Sequence, residues 1–130
     1  MSAIPNDLRY TPEHEYLKAT GEKNVFVVGI TDYAQGELGD VVFVELPAVG
    51  KEFARMEAFG TIEAVKAVSD LYCPAKGKVV EVNAKLADDP SLVNSDPYGA
   101  GWMIRLEVLD PGELGGLLDG DGYAKHVGER

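Results

Sequence analysis

The chain has 130 residues and a formal net charge of −10, from 22 acidic and 12 basic side chains. That length suits a single domain with its own core, and a hydrophobic content of 45% is ordinary for a globular protein. The charge argues against nucleic acid and anionic membranes as partners, because phosphate groups are bound by clusters of Lys and Arg. No apolar run in the sequence approaches the roughly 20 residues that span a bilayer.

The N-terminal sequence, MSAIPND, has neither the basic and apolar regions of a secretory signal nor the arginine-rich composition of a transit peptide. We therefore expect a bacterial cytoplasmic protein, although a processed organellar chain could look similar.

Cysteine and histidine are scarce, which limits redox and metal chemistry. Cys73 is the only cysteine, so an internal disulfide is excluded. With two histidines, His14 and His126, a Cys–His metal site is not expected. A catalytic pairing of Cys73 with either histidine remains an alternative, but nothing near Cys73 in the sequence would activate its thiol.

Six segments have the composition and spacing of β-strands, with turn residues between them. In residues 59–65 the pattern alternates, which places Phe59 on the same face as Thr61, Glu63 and Val65. Short strands with regular turn signals predict a β-sandwich or barrel. The predicted strands are residues 25–30, 41–46, 59–65, 68–72, 79–82 and 102–108.

The predicted helices are few and short. Thr31 is predicted to cap a helix over residues 32–38 that ends at Gly39. Single turns are expected at residues 90–94 and 123–127. Asp110 is predicted to cap a C-terminal helix with Pro111 in its first position and Leu114, Leu117 and Leu118 on one face.

Lys66 lies between two copies of a short pattern, G-x-V-V-x-V, at residues 39–44 and 77–82. Repeated units indicate internal symmetry, although one pair of copies is weak support. A single lysine in a β-patterned stretch is most often an exposed surface residue. Together, the pattern and the flanking small residues predict a pseudo-symmetric β-sandwich with Lys66 on a connecting turn.

This sequence resembles the H-protein family of the glycine cleavage system, which has the lipoyl/biotinyl-carrier fold. The resemblance spans nearly the whole chain, and its segments occur in the family's order and spacing. These segments are YTPEHEY at 10–16, GITDYAQ at 29–35, LGDVVFVELP at 38–47, EAVKA at 63–67, PAKGKVVEVN at 74–83 and LVNSDPYGAGW at 92–102.

The resemblance implies that Lys66 is the attachment site of lipoate. The family usually has Glu-Ser-Val-Lys-Ala, and here the motif begins at Glu63 with alanine in place of serine at position 64. Biotin carriers of the same fold resemble Met-Lys-Met at this site, so Val65 and Ala67 disfavour biotin.

In this family the loaded arm folds into a cleft that shields the aminomethyl group from water. The positions implied here are Glu15, Tyr33 and Asp70, and two carboxylates would suit an ammonium-like group. Tyr33 departs from the histidine common in the family, and it offers a hydroxyl but no proton exchange near neutral pH. The simpler interpretation of Glu15 and Asp70 as solvated or capping acids stays open.

The implied function is a non-catalytic, lipoylated carrier that brings the aminomethyl group of glycine from a pyridoxal-phosphate glycine decarboxylase to a tetrahydrofolate-dependent aminomethyltransferase. Dihydrolipoamide dehydrogenase and a lipoate-attaching enzyme are the other implied partners. Alternatives are a lipoate-relay donor for another lipoyl-dependent pathway, or a small hydrolase or binding protein that keeps the fold without modification. We expect a monomer with one domain, residues 1–130, in which a lipoyl-like core spans about 22–109 and a helical extension about 110–130.

Overall fold

The computed structural model describes residues 3–128. Strands dominate it, and the helices are short. The elements in chain order are β1 (Arg9–Tyr10), β2 (Glu15–Ala19), β3 (Val25–Ile30), α1 (Asp32–Leu38), β4 (Val41–Glu45), β5 (Glu52–Phe53), β6 (Ala58–Ala64), β7 (Val68–Tyr72), β8 (Gly77–Val82), α2 (Lys85–Asp88), α3 (Leu92–Ser95), β9 (Ile104–Val108), a 3₁₀ helix (Pro111–Gly116) and α4 (Gly120–His126).

The described strands form two antiparallel sheets. One has six strands in the order β1-β2-β3-β9-β8-β5, and the other has three in the order β4-β6-β7. The two copies of the repeated pattern fall on β4 and β8, one in each sheet, as expected for related halves. The predicted mostly-β sandwich with short helices and a C-terminal helix is therefore confirmed. None of the helices within residues 3–128 is long and apolar enough to cross a membrane.

The main hydrophobic core lies between the two sheets. Alternate residues of each strand point into it, because successive side chains of a strand face opposite sides. Burial of this apolar surface is the main source of stability for the sandwich. Its fully buried members include Val28, Ile62, Leu71, Val79, Ile104 and Leu106.

A second, smaller cluster joins the C-terminal helix to the outer end of the six-stranded sheet. Tyr10 of β1 and Tyr123 of α4 are fully buried and stack with ring centroids 4.7 Å apart. Tyr16 and Leu8 complete this tyrosine-rich cluster. The segment before α4 is also fastened there, since Tyr10 and Leu118 exchange backbone hydrogen bonds of 2.8 Å in both directions.

The predicted helix over residues 32–38 is confirmed at both ends. Thr31 caps α1 by accepting a hydrogen bond from the Ala34 amide at 3.2 Å. Gly39 ends the helix with a φ of 80° and a ψ of −157°, a conformation that essentially only glycine adopts.

The predicted face of Phe59 is wrong. The register between β6 and β7 shifts between Ala58 and Gly60, so Phe59 is an extra residue that the partner strand does not match. This bulge turns the Phe59 ring into the core, whereas Glu63, which is predicted on the same face, is exposed.

The C-terminal segment also differs from its prediction. Residues 111–116 form a 3₁₀ helix, and the Asp110 side chain makes no capping hydrogen bond. The three leucines do not share one face, because Leu114 and Leu117 pack on the main core and Leu118 on the tyrosine cluster. Consecutive glycines favour this irregular path over an α-helix.

Candidate functional site

Lys66 is at the tip of the hairpin between β6 and β7. The Ala64 amide donates to the Ala67 carbonyl at 2.8 Å, which leaves Val65 and Lys66 as a two-residue loop. The Val65 amide donates to the Asp40 carbonyl at 2.9 Å and ties the loop to the end of α1. Both loop residues are exposed, Val65 to 73%. The hairpin therefore presents a lysine to solvent on a loop fixed at its base.

The Lys66 amine is free to be acylated. It makes no hydrogen bond or ion pair with any side chain in residues 3–128, and its aliphatic stem lies across Gly39. A methyl group built on Gly39 would be 2.7 Å from Cε and 3.6 Å from Nζ of this lysine. An exposed, unpaired amine on a fixed loop fits the attachment of a lipoyl group through an amide bond.

A cleft of about 230 Å³ lies close to this hairpin, and we call it the Glu15 cleft. It runs between α1, the edge of β7 and the turn before β2. Its polar lining comes from Glu13, His14, Glu15, Tyr33, Glu37, Ser69 and Asp70. Its apolar lining, from Ile30, Ala34, Leu38, Ile62 and Leu71, suits an aliphatic chain.

Glu15 is 1% exposed and joins the two sheets. The Thr11 hydroxyl donates to its Oε1 at 2.7 Å, and the Tyr72 amide of β7 donates to its Oε2 at 3.2 Å. Burial raises the pKa of this carboxyl to about 8, although both hydrogen bonds act in the opposite direction. Burial therefore favours the neutral acid at Glu15, whereas sequence reasoning expected a carboxylate.

His14 and Tyr123 connect the Glu15 cleft to the C-terminal helix. The Tyr123 hydroxyl lies 2.8 Å from Nδ1 of His14 and 2.7 Å from the hydroxyl of Thr31, the residue that caps α1. Burial, with a smaller effect of His126, lowers the pKa of His14. The Tyr123 hydroxyl thus connects α4 both to His14 in the cleft lining and to the cap of α1.

The structure brings together three of the predicted site residues and leaves one apart. Glu15, Tyr33 and Asp70 all line the Glu15 cleft, with Tyr33 half-buried on α1 and Asp70 exposed on β7. Glu63 is on β6 near Lys66 but faces solvent outside the cleft. Sequence reasoning missed Glu37 and Ser69, because an exposed helical acid and a strand serine carry no local signal of a cleft.

Cys73 is buried and has no sign of activation. Its thiol donates to the Ala75 carbonyl at 3.1 Å, and burial raises the thiol pKa to about 12. A thiol with that pKa is a poor nucleophile at neutral pH. Within residues 3–128, no three His, Cys, Asp or Glu side chains are grouped so that they could hold a metal ion.

A pseudo-symmetric β-sandwich that displays one unpaired lysine on a fixed hairpin belongs to the class of carrier domains that hold a group on a lysine arm. Within that class, a model of the glycine cleavage H-protein family matches residues 8–130. The chain belongs to this family, whose members are lipoyl carriers of the glycine cleavage system.

Named relatives and a solved structure agree with this membership. The glycine cleavage system H protein of Symbiobacterium thermophilum is 57% identical, and the match covers 95% of this chain and 94% of that protein. The H protein of Carboxydothermus hydrogenoformans is 52% identical, and the match covers 99% of this chain and 98% of that protein. The crystal structure of a glycine cleavage system H protein from Mycobacterium marinum is 43% identical with a TM-score of 0.86, over 96% of this chain and 99% of that one. The lipoate-relay alternative is not favoured by these relatives.

Proposed function

We propose that Lys66 carries the lipoyl group and that the chain uses it to transport the aminomethyl group of glycine between enzymes. The supporting observation is the position of Lys66, whose unpaired amine sits on an exposed two-residue loop beside the Glu15 cleft. When bound, the lipoyl group supplies a reactive disulfide on a flexible arm, which is chemistry that no side chain of this protein offers. The chain itself acts without catalysis, and its residues attach, position and shelter the arm.

The residues around Lys66 suit repeated docking to large enzymes. Phe43, Glu63 and Val68 are directly paired across β4, β6 and β7, so they share the outer face of the three-stranded sheet. The two apolar members are 50% and 65% exposed. We propose that this face meets the glycine decarboxylase, the aminomethyltransferase, dihydrolipoamide dehydrogenase and the lipoate-attaching enzyme in turn. Docking raises the effective concentration of the arm at each active site.

The Glu15 cleft would hold the loaded arm between these visits. Its apolar floor excludes water from an aliphatic chain, and Glu15, Asp70 and the Tyr33 hydroxyl supply polar groups for the carried amine. These three residues come from β2, α1 and β7, and the hydrogen bond from the Tyr72 amide to Glu15 joins the first and last of these elements.

The test is intact mass with peptide mapping of protein from a lipoate-supplied host. We expect one lipoyl group, on the peptide that contains Lys66, and none in Lys66→Arg, because a guanidinium cannot form the amide. Lys78→Arg, which changes an exposed lysine in β8 of the other sheet, is the matched control and should be lipoylated normally. An unmodified Lys66 in the presence of an active attaching enzyme would refute the proposal, as would unfolding of Lys66→Arg.

A further inference from the structure

Gly39 occupies the point where the Lys66 stem leaves the hairpin. The exposed stem lies along the surface at Gly39, since a methyl built on this glycine would be within 3.7 Å of its Cδ, Cε and Nζ atoms. The two residues before it, Glu37 and Leu38, line the Glu15 cleft. The stem therefore rests against the end of the helix whose last two residues form part of the cleft wall.

The backbone at Gly39 is held from several sides. The Asn94 side chain of α3 donates to the Gly39 carbonyl at 2.8 Å, and its oxygen accepts from the Val41 amide at 2.8 Å. The Asp40 carbonyl accepts from the Val65 amide in the lysine loop. We call this corner, formed by Gly39 and Asp40 and clamped by Asn94, the Gly39 saddle. It fixes the loop and the end of α1 relative to each other.

Two properties make glycine necessary at the saddle. Its φ of 80° and ψ of −157° lie where residues with a side chain are strained. Independently, any Cβ would overlap the Lys66 stem at 2.7 Å. Because the overlapping atoms belong to a flexible side chain, the stem would swing away from the saddle rather than deform the backbone.

We infer that Gly39 is a positioning residue for the arm. Because it has no Cβ, the lysine stem can lie against its Cα, and this contact directs the arm toward the Glu15 cleft. The expected effect on the loaded protein rests on the proposed function. The first step, the contact between Lys66 and Gly39, is a property of the unmodified chain and can be tested there.

The first experiment uses the unmodified full-length protein in solution NMR. We expect a nuclear Overhauser effect between the Gly39 α-protons and the Lys66 ε-protons, and we expect it whether or not the protein can be lipoylated. Its absence would overturn the inference even if lipoylation occurs at Lys66. Its presence without lipoylation would instead leave the positioning of the stem supported and refute the proposed carrier function.

The second experiment compares Gly39→Ala with Gly50→Ala in lipoylated protein loaded with the aminomethyl group by glycine decarboxylase and glycine. Gly50 is the matched control, because its φ is 96° and no atom lies within 4 Å of an added methyl. Both variants carry backbone strain, but only the first displaces the stem. We expect Gly39→Ala to lose the aminomethyl group to water about tenfold faster than wild type, as the arm shifts toward its open position, and Gly50→Ala to match wild type.

A thermal measurement separates positioning from simple destabilisation. Seating of the loaded arm should raise the Tm of wild type and of Gly50→Ala above that of their unloaded forms. In Gly39→Ala we expect less than half of that increase, whereas a purely structural effect would lower both Tm values and preserve the difference. If Gly39→Ala does not fold, the nuclear Overhauser effect between Gly39 and Lys66 in the unmodified wild type decides, and its absence overturns the inference. An undiminished difference in the tested variant would overturn the inference.

Discussion

Replacement of Glu15 by glutamine should make the protein more stable, by an amount that grows with pH. Glutamine keeps the shape of the protonated acid, and it can keep both contacts when its oxygen accepts from the Tyr72 amide and its NH2 group donates to the Thr11 hydroxyl. It cannot ionise, so it removes the cost of bringing a charge into a site that is 1% exposed. The comparison therefore isolates the ionisation of one buried group.

The magnitude follows from the pKa of Glu15, which burial raises from 4.5 to about 8. Between these values the folded state keeps the proton that the unfolded state has lost, so wild-type stability is full below pH 4.5 and falls as the pH rises through 8. At about 1.4 kcal/mol for each unit of pKa difference, the full effect is about 5 kcal/mol. We expect the advantage of Glu15→Gln to grow by about 3–4 kcal/mol from pH 5 to pH 8.

The assay is urea unfolding of wild type and variant at pH 5, 6, 7 and 8. Taking the difference at each pH cancels the general repulsion of a chain with net charge −10. It also cancels the titration of His14, whose lowered pKa acts oppositely and makes stability increase with pH as the unfolded histidine deprotonates. Glu22→Gln, which removes one negative charge from an exposed side chain, is the control for the change in net charge. A difference for Glu15→Gln that does not vary with pH would refute the neutral buried acid.

Two further predictions concern packing around the site. Tyr123→Phe removes the hydroxyl that joins His14 to Thr31. Urea unfolding should show that the free energy of unfolding falls by about 1–3 kcal/mol. Unchanged stability would contradict this prediction. Gly60→Ala would bring a methyl into overlap with the Glu45 carbonyl of β4, so urea unfolding should show a loss of about 1–3 kcal/mol. Gly36 is in the interior of α1, and a methyl added there meets no atom within 4 Å. Gly36→Ala should therefore stabilise the protein by about 0.5–1 kcal/mol. Equal effects of the two alanine substitutions would contradict this reasoning.

Helix α1 could be predicted from the sequence because local chemistry determines both of its ends. Thr31 supplies a side-chain oxygen for the first turn, and Gly39 adopts a conformation closed to other residues. Neither requirement depends on distant parts of the chain. The family resemblance added what local rules could not, namely that residues 15, 33 and 70 would meet at one cleft.

Strand β2 could not be predicted from its composition, because glutamate, lysine and alanine are poor strand formers. Its five residues pair along their whole length with β3, and the first three are buried. Tertiary contacts therefore override local preference. Similarly, the bulge at Phe59 depends on the match between two strands, and one extra residue is enough to move an aromatic ring from the outer face to the core.

The lysine loop and Glu15 illustrate the same limit at the site itself. The Val65–Lys66 loop has no Asn-Gly signal, and its conformation is supported by the Asp40 carbonyl, which belongs to another element. For Glu15, residue type and resemblance predicted a carboxylate in the cleft. The structure places this side chain in the cleft lining, and burial favours its neutral form. Protonation depends on how completely β7 covers the carboxyl, and that coverage exists only after the two sheets have packed. The contact of Glu15 with the carried amine stays a prediction. The presence of an acid in the cleft was predictable, whereas the direction of its pKa shift depends on the fold.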